Sequence, residues 1–403
     1  MAIAERYVSA LAAGGGDGLT GDTAWTWAEM LADIEAGNGA SRRYNVKADA
    51  TYSRADNDAI TVGGARSQPC IVRGYKTAIG DGNLGRSPVG GGPLVTTNMP
   101  VVTYASAQNL TVTGAYLVFE SLNIGGSTGD RLVALGSGGT YDSFVNCNVV
   151  NSSTGNNARV VQQTSTTTGH CIFADCDFES VNSGQIYGVL DLQGASNRIL
   201  NCRIKRHTGA SSSQGIRFSA GSATLIAYCV FTECSGVGVL LADAAPQNII
   251  GCTFYKQGTC VAFPNALRAE PLLLANVMMT DSGKGVDGTH ASANHLLSLY
   301  GRRRNNTGAD TNLGDSLYYN QVTTDLGTDY LDAANGDLRL LQTSPAAGAG
   351  WFRYRDIGAC QRVGDTPQPH DVRSGRLYGF NTQLGTSKQA QYQPYLVDLG
   401  VFV

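Results

Sequence analysis

Charge is scarce in this chain. Asp, Glu, Lys and Arg make up 15% of its 403 residues, against about 25% in ordinary globular chains. The net charge is −3, so the basic field that holds phosphate backbones is absent and nucleic acid is not expected as a partner. No apolar run approaches the ~18 residues that cross a bilayer, and membrane insertion is not expected. The opening Met1-Ala-Ile-Ala-Glu-Arg-Tyr lacks the basic and apolar regions of a secretory signal. None of the ten cysteines forms a C-x-x-C pair, and the five histidines, His290 and His295 among them, lack metal-ligand spacing. Ser-His-Asp, nucleotide and zinc signatures are missing too, so neither metal nor cofactor is expected. The glycine run Gly14 to Gly18 lacks the Gly-Lys-Ser/Thr of a phosphate cradle and reads as a hinge.

What is present is glycine, 51 residues of it, together with 42% apolar residues, enough for a sizeable core. A repeat also runs from residue 117 to 280. Its hexads are FESLNI (119–124), FVNCNV (144–149), FADCDF (173–178), ILNCRI (199–204), IAYCVF (226–231), IIGCTF (249–254) and LLANVM (273–278). The fourth position holds Leu122, Cys147, Cys176, Cys202, Cys229, Cys252 and Asn276. Positions two, four and six are apolar or small, the period of a strand with one buried face; the apolar first position reads as a bend entering the strand.

A second apolar strand precedes several hexads, at 132–135, 189–192, 215–218 and 239–241. Between successive strands there is no room for a helix, which excludes βαβ units. Two or three short strands per turn of about 25 residues make a parallel β-helix. In such a coil equivalent residues stack at about 4.8 Å. Cys147, Cys176, Cys202, Cys229 and Cys252 should then form one core stack of reduced thiols, flanked by Phe178, Ile204, Phe231, Phe254 and Met278. Parallel in-register Cβ vectors do not suit a disulfide.

The ends need covers. Asp22 or Thr23 can cap a helix through Ala36, stopped by Gly37, with Trp27, Met30, Leu31 and Ile34 on one apolar face. This reads as a lid on rungs that begin near Tyr44. Toward the other end, Asn335-Gly-Asp-Leu-Arg-Leu leads into Ser344-Pro-Ala and then Asp356-Ile-Gly-Ala-Cys-Gln. That run resembles the closing segment of many bacterial and phage right-handed parallel β-helix proteins, and the Trp25-to-Gly39 stretch is similar to their opening segment. The resemblance covers about residues 20–361. It implies an all-β, single-stranded right-handed parallel β-helix, pectate-lyase-like or tailspike-like, with an N-terminal capping helix and a C-terminal docking tail. The expected divisions are an arm (1–20), the capping helix (21–40), the β-helix (41–300), C-terminal rungs and closing segment (301–361) and a tail for oligomerisation or docking (362–403).

Two functional readings follow. Outward positions put Asp175, Asp177 and Glu179 on one strand, with Arg203 and Lys205 at matching sites one rung on. Lateral ion pairs on a solvated sheet are the plain interpretation. The sharper one is a polysaccharide site, since lyases that this fold resembles use carboxylates with Lys or Arg, and glycosidases need two carboxylates. Farther along, Tyr228, Tyr255 and Met279 form an apolar outer strip, covered either by the chain itself or by a partner. Tyr395, Leu396, Val401 and Phe402 give the terminus a sticky surface that asks for a partner. Arg302, Arg303 and Arg304 read as a solvated loop, or as a surface for an acidic partner. The first expectation is a bacteriophage virion protein, a capsid decoration protein or tail spike, made in the host cytoplasm and located in the virion. It would be a homo-oligomer, with a trimer favoured, beside other virion proteins. The alternative is a polysaccharide lyase or glycoside hydrolase acting on a bacterial surface glycan.

Overall fold

The computed structural model describes residues 3–84, 93–126, 130–153, 158–181, 188–207, 213–220, 224–241, 247–263, 272–288, 296–299, 301–309, 317–319, 321–322, 329–333, 337–347, 349 and 358. Three parallel sheets wind around one apolar interior. Sheet A has twelve strands, from Ala4–Val8 to Leu317–Tyr319. Sheet B has ten, from Tyr52–Arg54 to Arg302–Arg304, and sheet C nine, from Asp58–Ile60 to Lys284–Gly288. Between Arg42–Lys47 and Lys284–Gly288 the described chain runs A, B, C and back to A, three strands to a rung.

The hexads straddle a corner. In the third hexad, Ile172–Ala174 belongs to sheet A and Asp177–Ser180 to sheet B. Asp175 turns the chain between them with φ +56°. The first position therefore points inward from sheet A, and the bend falls at position three. That position holds Ser121, Asn146, Asp175, Asn201, Tyr228, Gly251 and Asn276, all at positive φ. Asn, Asp and Gly tolerate this left-handed region better than other residues. A second left-handed column, Tyr116, Tyr141 and His170, stacks its rings at the C-to-A corner with centroids 4.8 and 4.7 Å apart.

Just inside the A-to-B corner runs the thiol spine. Cys147, Cys176, Cys202, Cys229 and Cys252 are buried thiols outside any disulfide, and each has two backbone carbonyls within reach of its single S–H. Those of Cys202, for example, are Phe173 and Leu200, both at 3.3 Å. In the last hexad the register differs from the expected one: Asn276 occupies the corner, and Val277 follows it where the other rungs have Cys. Met279 then pairs with Phe254 inside, while Met278 pairs with Thr253 outside.

The lid is present but starts later than Asp22 or Thr23. Helix α1, Trp27–Asp33, is capped by Thr26, whose side chain accepts from Glu29 N while Glu29 returns to the Thr26 backbone. Residues just before it are drawn into sheet contacts, since Trp25 N donates to Tyr7 O and Ser9 N to Trp25 O. A wider turn, Ile34–Asn38, continues the helix and contains Gly37 at φ +84°. Trp27, Met30 and Ile34 are buried against the first rungs. The glycine stretch is a fixed turn rather than a hinge, because Trp25 Nε1 donates to Gly16 O and Tyr7 N to Gly18 O.

The closing segment folds back over the outer face of sheet B. An antiparallel pair, Tyr330–Asp332 with Asp337–Leu340, packs on Val230, Tyr255 and Met278. Arg302 is wholly buried in a strand, where its Nε meets both Asp329 oxygens at 3.0 Å; this corrects the solvated-loop expectation. Of the expected interface residues, Tyr255 is covered by Tyr330 and Met279 lies inside. Tyr228 is buried at the outer corner of sheet A. Tyr395, Leu396, Val401, Phe402, His290 and His295 lie outside the described residues.

Candidate functional site

The five expected site residues do not form one cluster. Asp175 sits on the A-to-B corner, where Asn201 Nδ2 donates to it at 2.5 Å. The outward alternation breaks at the bend, so Asp175 leaves the face that carries Asp177 and Glu179. On sheet B, Asp177 pairs in register with Arg203, and Glu179 with Lys205. Lys205 Nζ lies 3.5 Å from Glu179 Oε1, with both side chains partly exposed. Asp177 is buried and accepts the backbone N–H of Leu94 at 2.9 Å. That bond holds Leu94 against this face. Asp177 thereby acts as an anchor and Glu179–Lys205 as a lateral pair of low energetic weight.

A denser arrangement lies on the outer face of sheet C. Arg131 and Arg159 are Cα partners on adjacent strands, and Asp130 bridges their guanidiniums at 2.9 and 2.8 Å. One rung farther, Arg159 Nε donates to Asp191 Oδ2 at 2.9 Å. Gln162 Oε1 accepts from Arg131 at 3.0 Å, and Gln162 Nε2 reaches Asp191 Oδ2 at 3.5 Å. Arg217 is the next partner of Asp191 in the ladder. The array thus spans four strands and sets three arginines beside two aspartates. Asp191 is the buried floor, and its Oδ1 has no hydrogen-bond partner. Asp130 is the exposed carboxylate, its side chain 55% open to solvent.

Burial sets the division of labour here. Asp191, enclosed and bonded through one oxygen, fixes Arg159 in orientation. The Arg131 and Gln162 side chains remain partly open. Guanidiniums held this way present planar donors to a carboxylate or sulfate without first losing side-chain freedom. Among the described residues, no group of three or more His, Cys, Asp or Glu is placed to hold a metal ion. The sequence did carry a sign of this site, since Arg131 and Arg159 lie one repeat period apart.

Residues 108–269 match the family described as "Right handed beta helix region". No curated protein matches the chain. Among solved structures, pectate lyase Pel9A is similar at 14% identity and TM-score 0.52, covering 90% of this chain and 97% of that one. A PL6 family alginate lyase, AlyGC, aligns at 11% identity and TM-score 0.35, covering 88% of this chain and 58% of that one. Likeness at such identity speaks for the fold alone. The three-sheet parallel coil, the matched region and the pectate lyase architecture agree: this chain folds as a right-handed parallel β-helix.

Proposed function

We propose that the protein acts on an anionic polysaccharide laid along the outer face of sheet C. The observation that carries this reading is the continuous Arg131–Asp130–Arg159–Asp191 array on consecutive rungs. Arg131 and Arg159 would hold acidic groups of the sugar, with Gln162 taking a hydroxyl. Asp191 positions Arg159 from below, and Asp130 is the carboxylate within reach of substrate. A linear polymer suits this surface because the array follows the solenoid axis. The pectate lyase neighbour supports the reading by analogy of fold.

The test uses pectate and alginate as probes, with starch as the neutral control. Retardation of the protein in gels containing an acidic polymer, relieved by salt and absent with starch, is the expected result. Arg159→Gln should weaken that retardation about tenfold, the loss of one charge-assisted contact. Release of unsaturated ends would make the activity a lyase, and release of reducing ends alone a hydrolase. Equal migration of wild type and Arg159→Gln in every gel would overturn the reading.

A second reading, a virion spike or decoration protein, draws on the closure of both ends by buried polar contacts, which suits a rigid rod exposed to proteases. It expects a protease-resistant oligomer, trimeric for preference, and a protease-sensitive monomer by light scattering would count against it.

A further inference from the structure

The outer face of sheet A changes character along the axis. Its first strands carry Glu5, Arg43, Asn45, Arg73 and Glu120. From there the register places Val145, Ala174, Leu200, Ala227, Ile250 and Ala275 in one outward column. Large and small residues alternate, leaving hollows over Ala227 and Ala275 beside ridges at Leu200 and Ile250. Leu200, Ala227, Ile250 and Ala275 are at most 3% exposed, yet they belong to a cluster separate from the interior core. The corresponding cluster on sheet B contains its own cover, Tyr330, Leu338 and Leu340. Every described member of the sheet A cluster comes from sheet A and its corner.

We propose that the occupant of this strip is the chain's own C-terminal segment, residues 395–403. Gly358 donates its N–H to Asn276 O at 2.9 Å, which brings the chain to the corner immediately beside Ala275. From Gly358, 45 residues follow, counted from 403 − 358. The four rung steps from Ala275 to Ala174 span only about 19 Å at ~4.8 Å per step. Extended, residues 395–403 put Tyr395, Val397, Leu399, Val401 and Val403 on one face, an unbroken apolar edge. Asp398 is their only charged side chain and falls on the opposite face, so the segment brings no charged side chain to the apolar column. This proposal is independent of the sheet C reading.

The test places a photo-crosslinking amino acid at Leu225, a partly buried rim position of the cluster, in the full chain. Isotopically light and heavy chains are mixed before irradiation. A crosslink within one chain to a peptide from 395–403 is the expected result. Crosslinks joining light and heavy chains would assign the strip to a second copy, and crosslinks elsewhere or none would also overturn the proposal. A second measurement guards against local disturbance: Leu399→Asp with Val401→Asp should speed proteolytic removal of the terminus at least tenfold. An unchanged rate would contradict the docking.

Discussion

Trp27 Nε1 donates to Asp58 Oδ2 at 2.8 Å, a buried bond that joins the capping helix to the first strand of sheet C. The same carboxylate accepts from Tyr104 OH at 2.9 Å and from the Arg54 guanidinium at 2.7–3.2 Å. One anion thus organises three donors from three parts of the first rungs. Their shared dependence makes the lid and the coil a single cooperative unit.

Replacing Asp58 by Ala strands those donors in a dry site. The expected cost is about 3 kcal/mol, the scale of losing one member of a buried charged network. Trp27→Phe should cost less because only one donor is lost. Urea denaturation checks both, and equal midpoints for wild type and Asp58→Ala would contradict the clamp.

At the other end, Asp329 holds Arg302 and also accepts from Ser344 Oγ at 2.7 Å. Asp329→Ala leaves the Arg302 guanidinium, itself 0% exposed, without its counter-charge. A loss of about 3–5 kcal/mol is expected, seen first as early proteolysis within the 329–347 segment. Replacing both partners by apolar residues of similar size should restore much of that loss. If the double variant were no better than Asp329→Ala, the latch would not act as an ion pair.

Asp142 gives the stability a pH dependence. It is buried at the C-to-A corner, accepts from Leu117 N, and has one carboxyl oxygen without a partner. Burial pushes its carboxyl well above the usual carboxylate range. The folded state therefore binds this proton more tightly than the unfolded state. The contribution is full below about pH 4, the ordinary pKa of Asp, and is lost as pH rises through the higher folded value. Asp142→Asn should stabilise the protein at pH 8 and lose that advantage as pH falls toward 4. Parallel stability curves for the two proteins from pH 4 to 8 would contradict the assignment.

The spine thiols should be inert while the fold persists. Burial raises the Cys176, Cys202 and Cys229 thiols well above their ordinary range, so thiolate is withheld. Alkylation at pH 8 is expected only at the rate of unfolding. Cys202→Leu should cost about 1–3 kcal/mol by overpacking the corner, whereas Cys202→Ser keeps a donor of similar shape and should cost less. Rapid labelling of Cys202 in the native protein would mean that this corner is open.

The period of the coil was legible because each rung repeats one small thiol and one large inward side chain. The corner was not, because a left-handed residue turns the chain while the apolar alternation resumes two residues later. Asn146, Asn201, Gly251 and Asn276 at hexad position three were the available sign, and Asn276 would also have set the last register correctly. The pairing of Glu179 with Lys205 followed from repeat arithmetic. The site on sheet C lay outside the hexads, where Arg131 and Arg159 stand out only once the rungs are superposed. The cover on Tyr255 comes from residues some 75 positions away (330 − 255), a contact that no local pattern encodes.

The most direct measurement is the location of the sulfur atoms by anomalous diffraction from crystals of the native chain. The spine predicts the sulfurs of Cys147, Cys176, Cys202, Cys229 and Cys252 on one line, spaced at about 4.8 Å, with those of Cys171, Cys234 and Cys260 off it. Spine sulfurs dispersed through the molecule would contradict the rung register, and with it the alignment of Arg131, Arg159 and Asp191 on one face.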